Sequence, residues 1–385
     1  MRLSQFLALL LALLLAGAPV AMADEEVSIQ EVFPQPNATE QPLQTSSNAE
    51  EVPDIPVATE EPVIETLPDG SVEITISAVG DITIGGDVRK RNNIFENELR
   101  KQGGDLSFVM RNVRDLLSQD DLTIGNFEST LTTAPVYKTN NQFVFSAPPE
   151  YVEILKDGSF EAVSFENNHT MDHGEQGHKE TTDTLTEAGI VWSTAEQMGE
   201  FEVKGVKIAM LSYWHLRERM ERMYTEVPAK IAEIRPAYDL IIVSYHWGEE
   251  LDYYPNKNQQ KMGKLTIDAG ADLVLGHHSH RINPIEEYNG KYIVYSLGNF
   301  SFSGNNKPSD MSTFIFQIRF RIKDGEVLSS AFRIIPARIS SKRDYNDFAP
   351  TPFTDQTLID NVIQMLVRNG KHIDNPVASY PVDWE

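Results

Sequence analysis

The 385 residues are 41% apolar and 23% charged, a balance typical of soluble globular domains that excludes collagen-like, wholly disordered and polytopic membrane chains. With 33 Lys+Arg against 57 Asp+Glu the formal net charge is −24, so the protein's own field repels nucleic acid and anionic headgroups and disfavours nucleic acid as a partner. There is no cysteine, which removes disulfides, thiolate metal sites and cysteine nucleophiles and leaves His, Asp, Glu and Asn as metal ligands.

Residues 1–23 read as a secretory signal peptide. A basic start is followed by an apolar run from Phe6 to Val20 and by the small-x-small pattern Ala21-Met22-Ala23. The run is short of the ~20 residues that span a bilayer, so cleavage near Asp24 is expected rather than retention as an anchor, giving a secreted or envelope-associated protein. Residues 24–70 hold twelve acids, no Lys or Arg and seven of the 21 prolines, the composition of an extended acidic tether. Beyond Gly70 the chain keeps 32 basic residues against 45 acidic ones, only moderately acidic. The folded domain is expected over 71–345, with a C-terminal helix and tail over 346–385.

The domain opens with a period-two run of β-branched residues, Ser71–Val79, that predicts a strand stopping at Gly80-Asp81. Short apolar runs at Leu122–Ile124, Ala162–Phe165, Val206–Leu211, Leu240–Tyr245, Leu273–Leu275 and Ile293–Leu297 predict further strands. Helical patterns at Gly177–Ala188 and Lys257–Ala269 lie between them. The alternation argues an α/β fold. Thr313–Ile322 and Val327–Ile335 predict an antiparallel pair turning at Lys323-Asp324-Gly325, and Gln356–Arg368 a closing helix.

Polar residues gather just after these strands, where α/β folds converge side chains on one site. Five clusters stand out: Gly80-Asp81 with Gly85-Gly86-Asp87; Asn126-Phe127-Glu128; Asn167-Asn168-His169 with Asp172; His246-Trp247; and Gly276-His277-His278-Ser279-His280. In an extended loop His278 and His280, two apart, point to one side, which suits metal ligation by neutral imidazoles; the alternative is a solvated polar loop. Singly, the others have plainer readings. Asp81 suits an Asx-turn or helix cap, Glu128 a solvated charge, Thr170 or Asp172 a helix cap, and His246 a satisfied core histidine. Taken together, Asp81, Glu128, Asn168, His169, His246, His278 and His280 form a mixed oxygen and imidazole set of the kind that holds two divalent ions for hydrolysis.

The motifs Ala78-Val-Gly-Asp-Ile-Thr-Ile-Gly-Gly86, Asn126-Phe-Glu-Ser-Thr-Leu-Thr132, Ser164-Phe-Glu-Asn-Asn-His-Thr-Met-Asp-His-Gly174, Val243-Ser-Tyr-His-Trp-Gly-Glu249, Ile267-Asp-Ala-Gly-Ala-Asp-Leu-Val-Leu-Gly-His-His-Ser-His280 and Tyr295-Ser-Leu-Gly-Asn-Phe300 occur in that order over residues 73 to 302. In this the chain resembles the CapA (PgsA) family of bacterial capsule and poly-γ-glutamate biosynthesis, itself similar to calcineurin-type metallophosphoesterases. The resemblance implies a metallophosphoesterase-like sandwich of two mixed β-sheets flanked by helices, and two divalent metal ions (Mn, Fe, Zn or Mg). Asp81 and His280 would bind the first ion, and Asn168, His246 and His278 the second. Glu128 or Asn126 would stand between them, with His169 as the proton donor oriented by Asp172. The departures are Thr83 in place of the usual second-position histidine of the first motif, Asn126 in place of an aspartate, and Asn167 and Thr170 flanking Asn168-His169 where the pattern has Gly before and an acid after, which leaves Asp172 to orient the histidine. Two functions follow as expectations: a metal-dependent hydrolase acting on an anionic surface polymer or its precursor, or a non-catalytic subunit that binds polymer or holds membrane synthase subunits together. For the second, Trp247, Tyr253, Tyr254 and Asn299 are expected at the cleft rim. Arg89 and Arg281 are the expected sources of local positive charge.

Overall fold

The computed structural model describes residues 66–384 apart from 138, 139, 141 and 216–218. The leader and the tether before residue 66 lie outside the described residues.

Along the chain run β1 (Val72–Thr83), α1 (Ile94–Lys101), α2 (Arg114–Leu117), β2 (Leu122–Phe127), β3 (Thr130–Leu131), β4 (Ser146–Ala147), α3 (Glu153–Asp157), β5 (Ala162–Ser164), α4 (Gly174–Glu187), β6 (Val191–Ser193), β7 (Gly199–Val203) and β8 (Val206–Trp214). Then follow α5 (Met220–Ile234), β9 (Leu240–His246), α6 (Lys257–Asp268), β10 (Leu273–His277), β11 (Ile285–Tyr288), β12 (Lys291–Val294), β13 (Asn299–Phe302), β14 (Ser312–Lys323), β15 (Glu326–Arg338), β16 (Thr351–Pro352) and α7 (Gln356–Gly370). One sheet has the order β16-β15-β14-β1-β2-β5-β6 with β13 also on β1, and the other has β11-β12-β10-β9-β8-β7. Both mix parallel and antiparallel pairs. Among the described residues no helix is long and apolar enough to cross a membrane.

Strand alternation explains the layers. Ile74, Ile76 and Ala78 of β1 and Leu122 and Ile124 of β2 share one core with Ile208 and Met210 of β8, Leu240 and Ile242 of β9, and Leu273 and Leu275 of β10. These residues fill the space between the two sheets. The opposite parities, such as Ile241, Val243 and Val274, pack outward with Val227 and Ile231 of α5 and Met262 of α6. The chain is therefore the expected α/β sandwich of two mixed sheets with helices outside.

The same alternation aims the site. Continuing the inward parity past the apolar residues leads along β2 to Asn126 and then Glu128, along β9 to His246, and along β10 to His277. On β1 the register against β2 steps from Ala78↔Ile124 to Asp81↔Asn126, an extra residue on β1 that turns Asp81 rather than Gly80 inward. The strand was expected to stop at Gly80-Asp81; it runs on to Thr83 because β13 supplies a second parallel neighbour there.

Gly80 is required by close approach: a Cβ there would lie 2.0 Å from the Gly298 carbonyl oxygen. Because backbone meets backbone, Gly80→Ala is expected to destabilise the protein by about 3 kcal/mol, the upper range for overpacking, measured by denaturant unfolding. An unchanged midpoint would show that β13 does not clamp β1.

Candidate metal centre

The inward polar ends of β1, β2, β9 and β10 meet above the inter-sheet core. Asp81, Asn126, Glu128, His246 and His277 are all at most 1% exposed. Glu128 is the hub. Its Oε1 lies 3.6 Å from His246 Nε2, 3.9 Å from His280 Nε2 and 4.0 Å from His169 Nε2. His280 Nδ1 lies 3.1 Å from Asp81 Oδ2 and 2.9 Å from Asn299 Oδ1. Asn168 Oδ1 is 2.7 Å from His246 Nε2.

Two ligand groups result. Glu128, His246 and His278 each offer an atom within 4.8 Å of the others, and Asp81, Glu128 and His280 do the same. A cation bonded at about 2.0–2.2 Å to nitrogen and oxygen ligands holds those atoms roughly 3–4 Å apart, the spacing seen around Glu128 Oε1. The donor set passes a second test. Both Glu128 oxygens and His278 Nδ1 are buried without a hydrogen-bond partner among the described residues, a costly arrangement that cations would satisfy. These buried acidic and imidazole groups could hold a metal ion.

The electrostatics separate the two carboxylates. Burial pushes the Glu128 carboxyl well above its usual range, and the neighbouring Asp81 charge adds to the shift. Burial works the same way on Asp81, but His277 and His280 outweigh it and hold Asp81 well below the ordinary value. Burial and the neighbouring His278 keep His246 far below the usual imidazole range, and burial with His280 brings His278 down to about 4, so both are neutral and ready to donate. His280 is the exception. Burial lowers it, but Glu128 and Asp81 lift it to about 9. A cation held by His280 must displace that proton, so metal affinity is expected to rise with pH between 7 and 9. Calorimetric titration at several pH values checks this; a flat profile would show that His280 is not a ligand.

His169 and Asp172 form a separate pair at the edge. His169 Nδ1 is 2.6 Å from Asp172 Oδ2, which also accepts the Phe145 amide at 3.1 Å. The Phe145 ring packs on the imidazole with centroids 4.6 Å apart. The helix-cap readings of Thr170 and Asp172 do not hold. α4 begins later, after His173 and without a side-chain cap, and Thr170 Oγ1 instead accepts the Asn167 amide.

Other expectations are also altered. The loop after β10 is not extended: His278 and His280 both have left-handed backbone, φ 89° and 53°, and join different ligand groups. Asn126 directs its amide nitrogen to Asp81 Oδ1 at 2.8 Å, and Glu128 is the carboxylate common to the two groups. Thr83 faces away, its Oγ1 accepting the Ser303 amide at 2.8 Å. Trp247 is not at the rim; it is 1% exposed, stacked on Tyr245 and bonded to the Tyr295 carbonyl. Arg281 is buried, donating to the His280 carbonyl and Ser309. Arg89 is paired with Asp87 at 3.0 Å.

Three contributors escaped the sequence reading. His277, with both ring nitrogens unpartnered and Nδ1 3.5 Å from Asp81 Oδ1, was visible as the third imidazole of its cluster. Its strand parity was the usable signal. Asn167 donates to Asn126 and to the Phe127 carbonyl, tying two motifs together. Asn299, expected at the rim, reaches His280 from β13, and its place in the Tyr295–Phe300 motif was the usable signal.

Residues 75–303 match the family model described as the bacterial capsule synthesis protein PGA_cap. The chain belongs to this bacterial capsule synthesis family. It is 30% identical over 320 residues to the PGA biosynthesis protein CapA of Bacillus subtilis, covering 78% of each chain. It is 29% identical to the capsule biosynthesis protein CapA of Bacillus anthracis, covering 64% of each. A probable polyglutamine synthesis accessory protein of Mycobacterium tuberculosis is 27% identical over 58% of this chain and 67% of its own. These relatives are named for PGA biosynthesis, capsule biosynthesis and polyglutamine synthesis. Every motif residue of the metal centre falls inside the matched span.

Proposed function

We propose that this family member is an extracytoplasmic metal-dependent hydrolase acting in the making, release or export of a poly-γ-glutamate type polymer, beside membrane synthase subunits. The observation that carries the reading is the convergence of two ligand groups on one buried, unpartnered carboxylate, Glu128. Asp81 and His280 would hold one divalent ion, Asn168, His246 and His278 the other, and Glu128 would face both. When bound, two such ions supply Lewis acidity and an activated water at neutral pH.

The chain's own residues do the rest. Asp172 fixes the His169 ring through Nδ1, leaving Nε2 directed towards the cluster. From there a protonated His169 hands its proton to the leaving group, a general-acid role. Phe145 packs on the buried His169 ring and limits its access to bulk water. The leader expected over residues 1–23 supports the extracytoplasmic setting.

The experiment is to strip the protein with chelator, reload it with Mn²⁺, Fe²⁺, Zn²⁺ or Mg²⁺, and assay model phosphoesters and poly-γ-glutamate. Turnover that appears only on reloading is expected. A reloaded protein that cleaves neither would overturn the hydrolase reading. One observation favours the non-catalytic subunit instead: Thr83 is committed to β13, so the first ligand group has one imidazole fewer than the usual pattern. Under that reading, polymer output in cells would fall on deletion of the protein yet be unaffected by His169→Ala.

A further inference from the structure

Beside the metal centre the chain leaves β13 at Phe302, whose ring lies against His280 with centroids 5.2 Å apart. It turns into Ser303-Gly304-Asn305-Asn306, which with Asp87, Lys90 and Asn92 walls a cavity of about 220 Å³. That cavity shares Asn92, Ile94 and Asn306 with a second, of about 540 Å³, that continues past Arg100 and Lys101 to Tyr345. Together they form one groove starting next to the cluster.

Its inner end holds an unmatched group. Ser303 is 1% exposed, lines the first cavity, and its hydroxyl has no hydrogen-bond partner among the described residues. A buried hydroxyl left unpaired costs about 1–3 kcal/mol, which a ligand reaching it would relieve. The charge is also distinctive. In a domain with an acidic excess, three cations line this groove, Lys90, Arg100 and Lys101, against two carboxylates. Asp87 is paired with Arg89, which lies outside the lining, at 3.0 Å, and Glu98 takes up Lys101 at 2.6 Å, so the lining keeps a net positive charge carried by Lys90 and Arg100. Between the charges lie uncharged donors and acceptors, the amides of Asn92 and Asn306 and the Tyr345 hydroxyl. The Asn306 side chain makes no hydrogen bond among the described residues.

We infer that this groove is a binding subsite for an extended anionic polyamide, a chain of carboxylate-bearing residues joined by amide bonds. Its carboxylates meet Lys90, Arg100 and Lys101, and its amide links meet Asn92, Asn306 and, at the inner end, Ser303. Such a ligand matches both halves of the lining, whereas a polyphosphate of equal charge offers no N–H to the amide oxygens. The inference rests on the proposed polymer-handling role and names where the polymer lies.

The test measures binding of a short γ-linked glutamate oligomer, and of inorganic polyphosphate as the contrast, to the full chain treated with chelator so that no turnover intervenes. Combining Lys90→Glu, Arg100→Glu and Lys101→Glu is expected to weaken oligomer binding about tenfold, the sum of three exposed ion pairs, with a loss that shrinks at high salt. The milder Arg100→Gln with Lys101→Gln guards against misfolding and should weaken it in the same direction. Asn306→Ala is expected to weaken the oligomer and leave polyphosphate unchanged. Undiminished oligomer affinity in both charge variants would overturn the subsite; equal losses for both ligands in Asn306→Ala would overturn the polyamide assignment. Binding that obeys these expectations in a protein that hydrolyses nothing when reloaded would sink the hydrolase reading and leave the subsite standing.

Discussion

Replacing His169 by Ala is expected to lower metal-dependent turnover by about 10²–10⁴-fold while the bound metal is unchanged. The imidazole Nε2 lies 4.0 Å from Glu128 Oε1 yet His169 belongs to neither ligand group, and its Nδ1 is occupied by Asp172 at 2.6 Å. Under the proposed function that Nε2 is the atom that would transfer the proton. Asp172→Asn keeps the shape but removes the charge that holds the ring, so an intermediate loss with a displaced pH–rate profile is expected. Turnover and metal content are to be measured on the same samples. Full activity in His169→Ala would move the proton donor elsewhere; loss of metal would make His169 a ligand.

Glu128→Gln is expected to abolish metal-dependent stabilisation without harming the metal-free fold. The Glu128 carboxyl is buried with both oxygens unpartnered, and burial together with Asp81 disfavours its charge. Gln keeps the shape and a neutral polar group in place of the carboxyl, so the metal-free variant should remain folded and unfold in one cooperative transition. Adding ion at about 100 times its dissociation constant should stabilise the parent by about 2.7 kcal/mol for each site filled, and the variant by far less. Unfolding midpoints with and without divalent ion decide it. An equal gain in the variant would remove Glu128 from the centre of the site.

Much of this site was legible because each inter-sheet strand changes from apolar to polar on one face at its C-terminal end. Asp81, Glu128 and His246 therefore stood out one after another along the chain. What was illegible depends on neighbours distant in sequence. The extra residue that turns Asp81 inward exists only against β2, and β1 continues past Gly80 only because β13, more than two hundred residues on, lies beside it. Trp247 followed a site histidine and so resembled a rim residue, yet its odd strand position sends it into the outer core with Tyr245 and Tyr295. The left-handed turns at His278 and His280 carry no composition signal, since neither residue is Gly or Asn. The basic groove is assembled from segments 90–101, 303–306 and 345–348, and no one of them is conspicuous alone.

The most direct measurement is the number of divalent ions bound per chain after stripping and reloading, by elemental analysis of the dialysed protein. Two ions in the parent, and fewer in Asp81→Asn and in His278→Ala, are the result expected here. No retained ion in the parent, or the same content in all three proteins, would contradict a metal centre at this site.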